Sequence, residues 1–160
     1  MSRGFMLGAS ALFLIGLGIP VARATPTFVC QEPGGKRLIF ISGSDVGLEA
    51  DKKTLLRIDS NNDLIEDTDG HRIFFVDKDD VRPGSARAGV KIAVFDGDDI
   101  RHATGGKVLI NYHHPDLCPT RQDNRIYSIE GPPISKQELV AAMYILHPDW
   151  FKLTDRKSVV

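Results

Sequence analysis

Four side chains in the C-terminal half have the donor types of a zinc site: His102, His113, His114 and Cys118. Imidazole nitrogen and thiolate sulfur are the ligands tetrahedral zinc selects. Their spacing works against a closed site. His113 and His114 are adjacent, and neighbouring side chains of a strand point to opposite faces. Cys118 also has a competing partner in Cys30. These residues read as turn and surface groups, and no metal is expected. Asp59-Ser60-Asn61-Asn62-Asp63 opens like a calcium loop, with oxygen donors at alternate positions. Leu64 then stands where the sharp turn needs Gly, and Gly70 stands where a bidentate Glu should be, so a solvated hairpin turn is expected. Asp77, Asp79, Asp80, Asp96, Asp98 and Asp99 form a second concentration of carboxylates. They fall at strand ends rather than as a pair facing across a cleft, so acid–base catalysis is not expected of them. No nucleophile elbow, phosphate-cradling glycine loop or dinucleotide fingerprint occurs. Ser42, Ser44 and Ser85 are loop serines without a local His. The pattern designates no catalytic residue and no cofactor.

The elements that would position these groups are mostly strands. Thr27–Gln31 alternates, Pro33-Gly34-Gly35 turns the chain into Arg37–Ser42, and Thr54–Ile58 and Arg72–Val76 are further apolar runs. Asp69-Gly70 is a hairpin signal and Ser60–Asp63 a turn cluster. Arg82-Pro83-Gly84-Ser85 begins a loop, Val90, Ile92 and Val94 alternate, Asp96-Gly97-Asp98 turns, and Val108–Tyr112 forms another strand. Ile126–Ile129 reads as one more. Strands this closely spaced, without intervening helices, predict a mainly β fold: a small antiparallel β-barrel or sandwich. No internal repeat is evident. Ser135-Lys136-Gln137-Glu138 is a capping box, and Leu139, Val140, Met143 and Leu146 share one helical face. His147-Pro148 ends the helix. A C-terminal α-helix over 135–153, packed on the β-region of 25–131, is therefore predicted. Trp150, Phe151 and Leu153 are expected in contact with the sheet rather than in a free tail.

The N-terminus bears on compartment. Arg3 precedes an apolar run from Phe5 to Ile19, Pro20 breaks it, and Ala22-Arg23-Ala24 fits an A-x-A cleavage pattern. As a helix that run rises only about 22 Å, short of the roughly 30 Å hydrocarbon core of a bilayer. Residues 1–24 are thus read as a cleaved signal peptide, leaving 25–160 as a single mature domain in the periplasm or outside the cell. The whole chain carries 20 Lys+Arg against 21 Asp+Glu, and the leader takes Arg3 and Arg23 with it. A mildly acidic remainder has no basic footprint for nucleic acid, and no membrane insertion is expected after cleavage. Cys30 and Cys118 are the only cysteines. An even count in an oxidising compartment favours a disulfide between them, with two free thiols as the alternative.

Over roughly Thr27 to Cys118 the β-region resembles the family of membrane-bound lysozyme inhibitors of C-type lysozyme. The likeness is carried by Cys30 and Cys118, by Gly84-Ser85-Ala86-Arg87 at the position of the family's S-G-x-x-Y loop, and by Phe95-Asp96-Gly97-Asp98-Asp99 at its later T-K-G loop. It implies a small exported β-barrel tied by a disulfide, with a loop Ser and a Lys entering the lysozyme cleft. Only Ser85 carries over as a ligand-binding residue. Ser and Gly are transposed here, no Tyr follows, and Asp96 replaces the Lys. A carboxylate there would repel a lysozyme's catalytic acids where Lys attracts them.

The expected function is an exported, non-enzymatic binding module that engages a protein or cell-envelope ligand through its loops, with lysozyme inhibition as one specific version. The alternative is an exported hydrolase whose site assembles only in the fold.

Overall fold

The computed structural model describes residues 25–84, 89–120 and 124–152. Residues 1–24, expected to be a signal peptide, and Ser85 and Leu153 lie outside the described residues. The chain is mainly β, with one closed antiparallel barrel of twelve strands and a C-terminal helix. The strands are β1 (Thr27–Gln31), β2 (Lys36–Ser42), β3 (Asp45–Leu48), β4 (Lys53–Asp59), β5 (Leu64–Asp67) and β6 (Arg72–Asp77). They continue as β7 (Asp80–Pro83), β8 (Ala93–Asp96), β9 (Asp99–His102), β10 (Val108–His113), β11 (Asp116–Cys118) and β12 (Tyr127–Glu130). Each pairs with its sequence neighbours, and β1 closes the ring against β12, from Phe28↔Glu130 to Gln31↔Tyr127. Closure leaves no unpaired strand edge.

One end of the barrel is made of tight turns with a common chemistry. Ser42↔Asp45, Asp77↔Asp80, Asp96↔Asp99 and His113↔Asp116 each flank a two-residue connection, and each return strand begins with Asp. Gly43, Lys78 and Gly97 take positive φ at the first turn position, a conformation that favours Gly and costs Lys78 some strain. Two hairpins are near copies: Phe75-Val76-Asp77-Lys78-Asp79-Asp80-Val81-Arg82 and Val94-Phe95-Asp96-Gly97-Asp98-Asp99-Ile100-Arg101. In both, the Arg returns to the Asp two residues earlier, with Arg82 Nη2 to Asp80 Oδ2 at 2.8 Å and Arg101 Nη2 to Asp99 Oδ2 at 2.7 Å. The barrel thus contains a repeated hairpin, which corrects the reading that no internal repeat is present.

The helix α1 (Lys136–Leu146) starts as expected. Ser135 Oγ accepts the Glu138 N–H, and Glu138 Oε2 accepts the Ser135 N–H. Its location differs from the expectation of a helix packed on the barrel. Leu139, Val140, Ala141, Ala142 and Met143 are each no more than 2 % exposed. At 3.6 residues per turn, five consecutive positions sweep more than a full circumference, so no face of this stretch looks at solvent. The partners confirm it: Tyr127 of β12 bonds His147 just past the helix, while Phe74 of β6, halfway round the ring, packs on Tyr144. The helix threads the lumen. An eight-stranded barrel is filled by its own side chains, whereas twelve strands enclose a wider space, and a helix about 10–12 Å across occupies it. Inward residues from all round the wall, among them Val29, Ile39, Ile65, Val81, Ile110 and Leu117, form a single core with it. The closing turn Pro148–Phe151 then caps the barrel end opposite the tight turns, with Phe151 buried against Phe74 and Tyr144.

Cys30 and Cys118 are not joined to each other in this arrangement, which departs from the expected disulfide. Cys30 is on β1 and Cys118 on β11, and β12 lies between them. Two inter-strand spacings separate their Cα atoms by roughly 10 Å, beyond the approximately 7 Å that a bridge can span.

Candidate functional site

Cross-strand register builds a polar groove on the outer wall. In β10 and β11, Asn111 stands opposite Cys118 and His113 opposite Asp116. The two-residue period of a strand puts all four on the face turned away from the core, while Ile110 and Leu117, both 0 % exposed, point inward. The β8–β9 turn adds Gly97 and Asp98. These six residues line an open groove of about 440 Å³. Asp98 is fixed by its backbone, since its carbonyl accepts the Tyr112 N–H at 2.7 Å. Its carboxylate lies 3.5 Å from His113 Nδ1, with both side chains largely exposed.

Beneath the groove sits a buried charge. Asp99 is 1 % exposed, and its two oxygens are bound by Asn111 Nδ2 at 2.8 Å and Arg101 Nη2 at 2.7 Å. Arg101 Nε lies 3.1 Å from Asp96 Oδ2 without hydrogen-bond alignment, so that contact is electrostatic. Asn111 is held from below by Asp99 and forms part of the groove lining. On the far side, Asp116 Oδ1 is 3.1 Å from Arg125 Nη1, and Arg125 also approaches Glu32 at 3.7 Å. The chain continues to Ser128, whose hydroxyl donates to Glu32 Oε1 at 2.7 Å. A further ion pair joins Arg37 to Glu130 with Arg37 stacked 4.0 Å over Phe28. Arg37 holds the Glu130 carboxyl below its usual value. Cys30 lies against Glu130, and burial first, then that carboxylate, pushes its thiol up. A raised thiol pKa makes Cys30 a poor nucleophile.

Of the four zinc candidates, the structure brings only His113 and Cys118 to one groove. His102 is at the opposite end of the barrel wall, its ring 3.2 Å from the Thr104 amide N–H. His114 packs edge-on against Tyr112 outside the lining. Among the described residues, the donor set close enough for a metal is a different one: Asp67, Asp69 and His71, with ligand atoms within 4.8 Å of one another. The β5–β6 turn already uses those atoms. Asp67 Oδ1 accepts the Asp69 and His71 N–H groups at 2.9 and 2.8 Å, and Oδ2 meets His71 Nδ1 at 2.9 Å. These bonds hold the Asp67 carboxyl low and raise His71.

The calcium-like loop is likewise self-satisfied. Asp59 accepts from the Asn61 N–H at 3.1 Å and from Asn62 Nδ2 at 2.7 Å, which lowers its carboxyl pKa. Among the other strand-end acids, Asp79 meets Lys136 at 2.6 Å, and Asp80 is bracketed by Arg82 and Lys91. Lys91 first, then Arg82, holds Asp80 low. These carboxylates each face a cation rather than one another, which is charge balance and not an acid–base pair. Sequence reasoning missed Asn111, Asp116 and Arg125. The alternation of Val108–His113 was the available signal, because it sets Asn111 and His113 on one face.

No family model matches the chain, and no curated protein or solved structure matches it significantly. Among the described residues, no helix is long and apolar enough to cross a membrane.

Proposed function

We propose that this protein is an exported binding module whose outer-wall groove takes a cationic group presented by a protein or cell-envelope ligand. The observation that carries the reading is Asp98, His113, Asn111 and Asp116 gathered on the outside of a barrel whose lumen a helix fills. A ligand therefore meets polar chemistry on the wall, not in an internal cavity. Asp98 is the most available carboxylate, since Asp116 already faces Arg125. Export rests on the N-terminal pattern of residues 1–24.

Lysozyme inhibition remains a specific version of this reading, supported by the family resemblance. Asp96 opposes insertion into a cleft of catalytic acids, so contact would run through the acidic groove and a cationic patch outside that cleft. The test uses mature protein 25–160, titrated calorimetrically with a C-type lysozyme and with an oligolysine peptide at two salt concentrations. Salt-sensitive binding, weakened tenfold or more by Asp98→Asn with Asp116→Asn, is the expected result. Absence of binding to both probes, or binding indifferent to the double substitution, overturns the cationic-ligand reading.

The second reading, an exported hydrolase, has one observation in its favour: Cys118, His113 and Asp98 line the same groove. It requires turnover that alkylation of Cys118 abolishes.

A further inference from the structure

His147 closes α1 and holds the closing turn in place. Its backbone N–H donates to the Met143 carbonyl at 2.7 Å, and its own carbonyl accepts the Trp150 N–H at 3.1 Å. Its imidazole Nε2 is 2.8 Å from the Tyr127 hydroxyl of β12. The indole of Trp150, the only tryptophan in the chain, stacks on the ring at 3.9 Å and 8°. One residue therefore joins the helix, the barrel wall and the turn that caps the barrel end opposite the tight turns. Next to it, Ile73, Phe74, Ile92, Tyr144 and Phe151 line a mainly apolar groove of about 460 Å³, whose lining also includes Lys152 and whose one wall is Phe151 of the closing turn.

We propose that His147 is a pH-sensitive latch: its protonation releases Pro148–Phe151 from the barrel mouth and so uncovers the apolar wall formed by Phe74 and Tyr144. This goes beyond the outer-wall groove and does not depend on it. The groups around the ring make a cation hard to hold. From β12 it faces Tyr127, a neutral phenol that burial keeps protonated. From the closing turn it faces Trp150, and Asp149 on that turn is paired with Lys152. From α1 the nearest titratable side chain is Tyr144, which packs on Phe74 and Phe151. Among the described residues, no carboxylate acts on His147. Burial alone lowers its pKa, because desolvation disfavours the charged form.

Protonation also converts the Nε2 that meets Tyr127 from a possible acceptor into an obligate donor. The opposing force is attraction between an imidazolium and the indole face. Burial has to outweigh that attraction for the latch to open. The sign follows from linkage. The closed form keeps His147 neutral, so the open form binds the extra proton. Closure is full above pH 6.5, the ordinary His value, and is lost as pH falls from there toward the depressed value in the closed state.

The test follows Trp150 emission, acrylamide quenching and backbone amide exchange of residues 144–151 between pH 7.5 and 5, in the full mature protein. The comparison variants are His147→Phe and His147→Gln, each first shown by circular dichroism to keep the barrel. The latch predicts a red shift, greater acrylamide access and faster exchange, with a midpoint below pH 6.5 and with all three absent in both variants. Three results overturn it. The transition persists without His147, so another group drives it. Emission falls without red shift or faster exchange, so a protonated His147 stays stacked on the indole. The His147 imidazole itself titrates at or above pH 6.5 by NMR, so Trp150 attraction outweighs burial.

Discussion

Placing α1 inside the barrel predicts a mutational pattern that a surface helix cannot give. Ala141 and Ala142 are both 0 % exposed and lie about 100° apart, and Leu139, Met143 and Val140 together cover the remaining arc. Replacing Ala141 or Ala142 with Gln inserts extra heavy atoms into a filled lumen, costing about 1–3 kcal/mol for overpacking. It also strands an amide away from water for about 1–3 kcal/mol more. The expected loss is about 2–6 kcal/mol for each Ala→Gln, beside about 2–5 kcal/mol for Leu139→Ala or Met143→Ala. A helix lying on the barrel would have one tolerant face, where Ala→Gln changes stability by less than about 0.5 kcal/mol. The assay is urea unfolding followed by circular dichroism, with linear extrapolation. Because a domain this size holds roughly 5–15 kcal/mol in total, single substitutions should leave a measurable transition. If Ala141→Gln or Ala142→Gln costs under about 0.5 kcal/mol, that face is solvated and the lumenal placement is wrong.

Other consequences can be checked separately. Asp99→Ala should destabilise by about 3–5 kcal/mol, because Arg101 and Asn111 lose a buried ionic partner; equilibrium unfolding that shows less than about 1 kcal/mol would mean water replaces the carboxylate freely. Gly47→Ala should fail to fold or lose several degrees in Tm, since a Cβ there would lie 2.0 Å from the Lys53 carbonyl oxygen; an unchanged Tm would contradict the β3–β4 register. Native protein treated with a thiol reagent should react at Cys118 and much more slowly at Cys30, which is buried with a raised pKa; a covalent Cys30–Cys118 bridge found by non-reducing mass analysis would require β12 to leave its place between β1 and β11.

The strands read correctly from sequence were mostly the longer apolar runs, together with Thr27–Gln31 (β1) and the four-residue β12, read as Ile126–Ile129. Arg72–Val76 and Val108–Tyr112 correspond to β6 and β10, and Arg37–Ser42 to most of β2. Those missed are β3, β5, β7, β9 and β11, the return arms of successive hairpins. They are three or four residues long, and four of the five begin with Asp. Strings such as Asp80-Val81-Arg82-Pro83 and Asp99-Ile100-Arg101-His102 carry one or two apolar residues each. That is too few for a period-two signal, and their acids read as turn chemistry. They form strands because each is pinned on both sides by ladder bonds in a closed ring, which no local propensity reveals. Ile92 illustrates a smaller error. The run Val90, Ile92 and Val94 looked like one alternating face, yet Val90 is 70 % exposed and Ile92 only 4 %, because β8 begins at Ala93.

The same ring explains why the helix and the groove were misjudged together. A capping box and one apolar face at Leu139, Val140 and Met143 suit a helix on a surface, and the two alanines that follow look neutral to that reading. Inside a barrel they are the residues that let a backbone pass close to the wall. Once α1 fills the lumen, inward positions are committed to packing and chemistry is displaced to the outer face. There the repeated Asp-x-Asp-Asp-φ-Arg hairpins (φ standing for Val or Ile) set charged pairs at fixed height around one end. Asp80 with Arg82 and Asp99 with Arg101 are two such pairs. In the next hairpin, return-strand position one is Asp116 and position three is Cys118, so the Arg is missing and Arg125 reaches in from the β11–β12 connection instead. The groove lies where the hairpin repeat breaks, and that break is the physical reason to expect ligand chemistry at Asp98, His113 and Asn111 rather than elsewhere on the wall.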